Sequence, residues 1–141
     1  MNMNTQNTLE DIKVSLNMKL ATLWASFMFL YIYVDHFALY MPHKVEHILK
    51  GRVFVLDITQ GFLLAALASV TIPALMIFLS VALPAKVNRR MNIIIATAYI
   101  PYTLFNLTGE TWMHMVLGAV IEVVLLCLII RYAWKWPRME T

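Results

Sequence analysis

The sequence predicts an all-α integral membrane protein, an up-down four-helix bundle with both termini cytoplasmic. Three observations support this. Hydrophobic residues make up 61% of the 141-residue chain and charged residues only 13%, with a mean hydropathy of +0.71, outside the balance of a soluble domain. Four apolar runs, near residues 20–40, 58–83, 91–108 and 112–130, approach or exceed the about 20 residues that bridge a bilayer core. The turns PAKVNRR and LTGET are short, so successive helices must be antiparallel neighbours.

The elements follow in order. Residues 1–8, MNMNTQNT, are polar, and Leu9, Ile12, Leu16 and Leu20 recur at helical spacing beside Lys13 and Lys19. Residues 1–19 therefore read as a polar N-terminus with an amphipathic, interfacial lead-in. The first apolar run is too long for a signal-peptide core and lacks a small-x-small cleavage site after it, so it is expected to remain. Residues 41–56 form the one sizeable outer connection, in which Pro42 starts a short helix and Gly51 ends it. One transmembrane domain fills residues 20–132, and residues 133–141 form a cytoplasmic tail. The lone Cys127 excludes an intrachain disulfide.

Basic residues set the orientation. Lys13, Lys19, Lys86, Arg89, Arg90, Arg131, Lys135 and Arg138 flank the ends on one side, and Lys44, Lys50 and Arg52 lie opposite. The richer side is expected to be the cytoplasm. Trp112 at one interface and Tyr132, Trp134 and Trp136 at the other fit aromatic belts. The net charge of +3 is thus assigned to topology, and no basic aromatic surface suits nucleic acid.

Polar residues within the spans carry the functional reading. Pro73 and Pro101 lie equally far from the PAKVNRR turn and free the carbonyls of Ser69 and Thr97, which then need partners from neighbouring helices. The plainer reading is two packing kinks, and the functional one is a paired hinge. Asn92, Ala96, Tyr99, Thr103 and Asn106 form a stripe that faces protein. Asp57, Gly61, Ala65 and Ser69 form a small-residue ladder suited to close helix approach. Trp24, Met28, Tyr31 and Asp35 align on the first span, and Glu110, His114, Gly118 and Glu122 on the fourth.

Glu122 lies nine residues from Arg131, about 14 Å into the bilayer. An ionisable group there costs about 2–3 kcal/mol to insert and needs an interior position with a partner. It is either a proton or ligand site or a protonated hydrogen-bond donor that ties helices together. Asp35, Asp57, Glu110 and His114 form one outer layer, and all four histidines, His36, His43, His47 and His114, lie on that side. Such a ring could attract cations or relay protons. The spacing of His43 and His47 is a weak metal signal, with His36 as a further candidate, and a solvated interfacial loop is the plainer reading. No phosphate loop, nucleophile elbow, CxxC pair or haem-attachment motif occurs, so no cofactor is specified.

FLYIYVDHFALYMP (29–42), IPALMIFLS (72–80), KVNRRMNII (86–94) and RYAWKWP (131–137) together resemble an uncharacterised family of small prokaryotic four-span membrane proteins, a domain of unknown function. The likeness runs from about residue 9 to the end, with Asp35, Pro73, Asn88 and Glu122 on matching positions. It departs at Val34, where a glycine is common, and at His36, where an aromatic is common. The resemblance implies fold and location, with no activity or cofactor attached.

The expected function is binding or transport of a small cationic or protonatable solute through a polar cavity lined by Tyr31, Asp35, Asp57, His114 and Glu122. One alternative is an accessory or assembly subunit of a larger membrane complex or homo-oligomer. Another is a metal-dependent enzyme acting on a lipid-like substrate.

Overall fold

The computed structural model describes residues 12–53, 55–108 and 112–137. Five helices occur among them: α1 (Leu16–Ala38), α2 (Lys44–Leu49), α3 (Gln60–Ala82), α4 (Ala85–Phe105) and α5 (Met113–Trp134). Three, α1, α3 and α5, are long and apolar enough to cross a membrane. The expected third span differs, because α4 carries Lys86, Arg89 and Arg90 together with Asn88 and Asn92 in its first eight residues.

Local signals explain most helix ends. Ser15 is extended and accepts the Met18 amide, so α1 begins at Leu16, and Ile12 to Ser15 lie outside it. Of the expected lead-in, Ile12 to Ser15 are not helical and Leu16 to Lys19 form the first turn of α1, while Leu9 lies outside the described residues. Thr59 caps α3 by accepting the Phe62 amide. Pro84, extended, opens α4, so most of the stretch expected to be the turn PAKVNRR is helix and only Leu83 and Pro84 connect α3 to α4. Gly51, at φ +73, follows α2 and donates its amide to Ile48 O, as its sequence position predicts.

The fold is not purely helical. Arg52–Val53 (β1) and Leu56–Asp57 (β2) pair antiparallel as a minimal hairpin, with Arg52 opposite Asp57 and Val53 opposite Leu56. β-branched residues at Val53 and Val55 favour the extended backbone, but no Asn-Gly or Asp-Gly turn marks it in the sequence. The hairpin and α2 share one end of the molecule with the α4–α5 connection. The other, basic end holds the start of α1, the α3–α4 turn and the end of α5.

α1 packs against α3 on one side and α5 on the other, and α5 also packs against α4. Leu20, Trp24, Phe27, Met76, Ala96, Leu126, Ile129 and Ala133, all fully buried, fill the core towards the basic end. Phe27 meets the Trp24 ring edge-on at 5.9 Å and the Tyr99 ring at 6.1 Å, an arrangement aromatic quadrupoles favour. α3 joins this core only through its inner half, burying Pro73, Met76 and Ser80 on one face. From Gln60 to Ala68 every α3 residue except Phe62 is exposed.

The small-residue ladder on α3 therefore does not bring two helices of this chain together. The close approach lies instead at Gly118 of α5, where a Cβ would overlap Val34 Cγ2 of α1. Valine is stiff in a helix and cannot readily turn aside. Gly118→Leu is expected to lower stability by about 1–3 kcal/mol through overpacking. Gly61→Leu should leave it unchanged, since a Cβ there meets only Thr59 Oγ1 at 3.8 Å. Unfolding titrations of both variants in detergent check the contrast, and equal losses would contradict it.

Candidate functional site

Two layers of polar side chains lie between the helices, and they do different work. The inner layer, near the basic end, begins with Pro84. Lacking an N–H, it leaves Ser80 O without its helical donor. Asn88 Nδ2 supplies one at 2.6 Å. Asn92 Nδ2 donates to Asn88 Oδ1 (2.6 Å) and O (2.9 Å), while Asn92 Oδ1 accepts from Trp24 Nε1 (2.7 Å) and Ser80 Oγ (3.3 Å). All four residues are fully buried. This network joins α1, α3 and α4 and closes the bundle at that end. Arg89 complements it by donating from Nε to Ala133 O at 3.2 Å, and a cation at the end of α5 also suits the helix dipole.

Midway along the bundle, Pro73 frees Ser69 O, and the Tyr99 hydroxyl donates to it. Ser69 Oγ lies 3.0 Å from Tyr102 OH, which lies 3.4 Å from Tyr31 OH, and Asn106 Nδ2 donates to Tyr31 OH at 3.4 Å. A string of hydroxyls thus links α3, α4 and α1. The stripe on α4 is buried at Asn92, Ala96, Tyr99 and Thr103, as its spacing predicts, and Asn106 reaches the open end.

Beyond that string lies a cavity of about 730 Å³. Its deepest polar residues are Tyr31, Thr103 and Glu122, with Asp35 and Asn106 further out. α2 and the hairpin lie over it through Ile48, Val53 and Leu56, and Phe62 and Phe105 add apolar wall. The Val34–Gly118 contact sets the register of α1 on α5. Glu122 stands one turn inward of Gly118, about 6 Å along the helix, so Asp35 sits roughly one turn outward of Glu122. Glu122 is 4% exposed, whereas Asp35 is exposed. Lys44, the first residue of α2, also lines the cavity. Thr103 is 1% exposed, and its hydroxyl faces the Glu122 carboxyl with no other hydrogen-bond partner.

The structure divides the sequence candidates. Tyr31, Asp35 and Glu122 line one cavity. Asp57 does not. Its Oδ1 accepts from Arg52 Nε at 3.3 Å across the hairpin, and its side chain is largely exposed. His114 is also absent from the lining, with its ring beside Trp112 and a buried, unpartnered Nε2. Glu110 lies outside the described residues. Pro73 and Pro101 both lie inside their helices, α3 and α4. Thr103 and Asn106, read from sequence as packing, belong to the cavity.

His36, His43 and His47 gather with no third metal-ligating side chain among the described residues. Among the described residues, no three His, Cys, Asp or Glu side chains converge. His36 packs beside the rings of Phe37 and Tyr40, and exposed His43 lies 3.4 Å from Glu46. The Lys50 ammonium, 2.6 Å from Glu46 Oε1, with His43 second, holds the Glu46 carboxyl below its ordinary range. A depressed carboxyl stabilises the fold above its unfolded pKa and loses that contribution as pH falls through the folded value. Acidification through the carboxylate range is therefore expected to weaken amide protection in α2. Glu46→Gln should remove that dependence, and hydrogen exchange with wild-type pH behaviour in the variant would contradict the assignment.

A model for a family of unknown function (DUF6326) matches residues 11–141. No curated protein and no solved structure matches the chain.

Proposed function

The chain belongs to the DUF6326 family, and because that membership brings no activity with it we propose a function from the site itself. The protein is a four-helix, up-down bundle of the prokaryotic inner membrane with cytoplasmic termini. Its cavity binds or passes a small cationic or protonatable solute. One observation carries the reading: a cavity of about 730 Å³ is lined by two carboxyls, Asp35 and Glu122, against one basic side chain, Lys44. An acid inside a membrane is costly unless it has a partner, and a cation supplies one.

In this mechanism Asp35 stands at the mouth and draws the cation in, and Glu122 holds it or, when the cavity empties, takes up a proton in exchange. Inward of Glu122 the chain is packed, with Trp24, Leu126 and Ile129 fully buried. Binding from the hairpin side therefore needs no rearrangement, while passage needs the helices to move about Pro73 and Pro101. Native mass spectrometry of the protein released from mild detergent tests the reading. A retained small cation, lost in Glu122→Gln, is expected. Identical spectra for wild type and variant would sink it.

A second reading, an assembly subunit, is favoured by the stretch of α3 from Gly61 to Ala68, whose small residues Gly61, Ala65, Ala66 and Ala68 are all exposed. Its signature would be a fixed stoichiometry with another chain that Gly61→Leu disrupts and Glu122→Gln does not.

A further inference from the structure

Resting on the cation reading above, we infer that the ligand is an amphiphilic primary amine, an ammonium carried on an apolar body, rather than an inorganic ion or a quaternary cation. The volume is the first argument. The cavity falls within the about 300–1,000 Å³ of small-molecule sites and far exceeds the roughly 30 Å³ share of a water-sized species. The walls are the second. Val34, Ile48, Leu56, Phe62, Phe105 and Met115 surround the acids with hydrocarbon, which suits an apolar body and leaves a metal ion short of ligands. Hard cations take six or more oxygens, and no three metal-ligating side chains converge among the described residues.

Thr103 narrows the ligand further. Its hydroxyl is buried, faces the Glu122 carboxyl and accepts from no donor in the protein, so its lone pairs are open to a ligand N–H. A primary ammonium has three N–H donors and can give one to the Glu122 carboxylate and another to Thr103 Oγ1, with the rings of Phe62 and Phe105 beside its apolar body. A quaternary ammonium has no N–H and cannot satisfy Thr103. Asp35, one turn outward, stays free to guide entry.

The test uses the full chain in lipid nanodiscs and four probes: 1-naphthylmethylamine, its N,N,N-trimethyl analogue, 1-naphthylmethanol and potassium ion. Binding is read as the difference between wild type and Glu122→Gln, which removes partition into lipid. The primary amine is expected to bind wild type about tenfold more tightly than the trimethyl analogue, one hydrogen bond's worth. Thr103→Val keeps the β-branched shape, removes an oxygen that accepts no hydrogen bond in the protein, and should erase that tenfold preference. Equal binding of amine and trimethyl analogue, or an unchanged preference in Thr103→Val, would overturn the amine inference and leave the cation reading standing. So would potassium binding where the amine does not. Naphthylmethanol binding as well as the amine, or no probe binding at all, would overturn both.

Discussion

Asn92→Ala is expected to lower stability by about 2–4 kcal/mol, the largest single loss outside the site. Asn92 uses its whole amide: Oδ1 accepts from Trp24 and Ser80, and Nδ2 donates twice to Asn88. Alanine would strand the Trp24 N–H and Asn88 Oδ1 in a region where all four residues are fully buried. Interhelical hydrogen bonds within membranes are often worth under about 1 kcal/mol each, but here several are lost together. Asn106→Ala removes one long hydrogen bond to Tyr31 at the exposed end of the same helix and should cost less than about 1 kcal/mol. Unfolding of both variants in detergent measures the difference. Equal, small losses would mean that the inner layer does not hold α1, α3 and α4 together.

Glu122→Leu is expected to move stability the other way, raising it by about 1–3 kcal/mol, while abolishing ligand binding. A buried acid with no basic partner is a cost to the folded protein, and its replacement by an apolar side chain removes that cost. An acid that served to tie helices together would give the opposite sign. The neighbourhood favours a cost, because the groups beside the buried carboxyl are a neutral hydroxyl, Thr103, and a second acid, Asp35. Unfolding of the leucine variant therefore separates a functional acid from a structural one: a gain fits the account, and a loss of about 1 kcal/mol or more contradicts it.

Periodic features were legible in the sequence. The apolar runs located the long helices, the spacing from Asn92 to Thr103 located the buried face of α4, and the proline rule identified Ser69 O as needing the donor that Tyr99 supplies. Each depends on residues within a turn or two of one another. What escaped depends on pairing across the chain. Asp57 was read as a mouth residue because it opens a span, yet hairpin register sets it against Arg52, only five positions earlier. Gly61 and Gly118 looked alike as small residues in helices, and only the path of α1 decides that Val34 meets the second. The four histidines share an end of the molecule without converging, since helical spacing in His43 and His47 says nothing of a third ligand. Thr103 sits on a stripe that explains its burial without revealing that its hydroxyl faces Glu122.

The central claim is that the cavity holds a cation through Glu122. Its most direct test is an equilibrium isotherm for ethylammonium, measured by calorimetry on wild type and Glu122→Gln in matched lipid nanodiscs. The account predicts saturable one-site binding in the wild type and none in the variant. Equal binding in both, or none in the wild type, would contradict it.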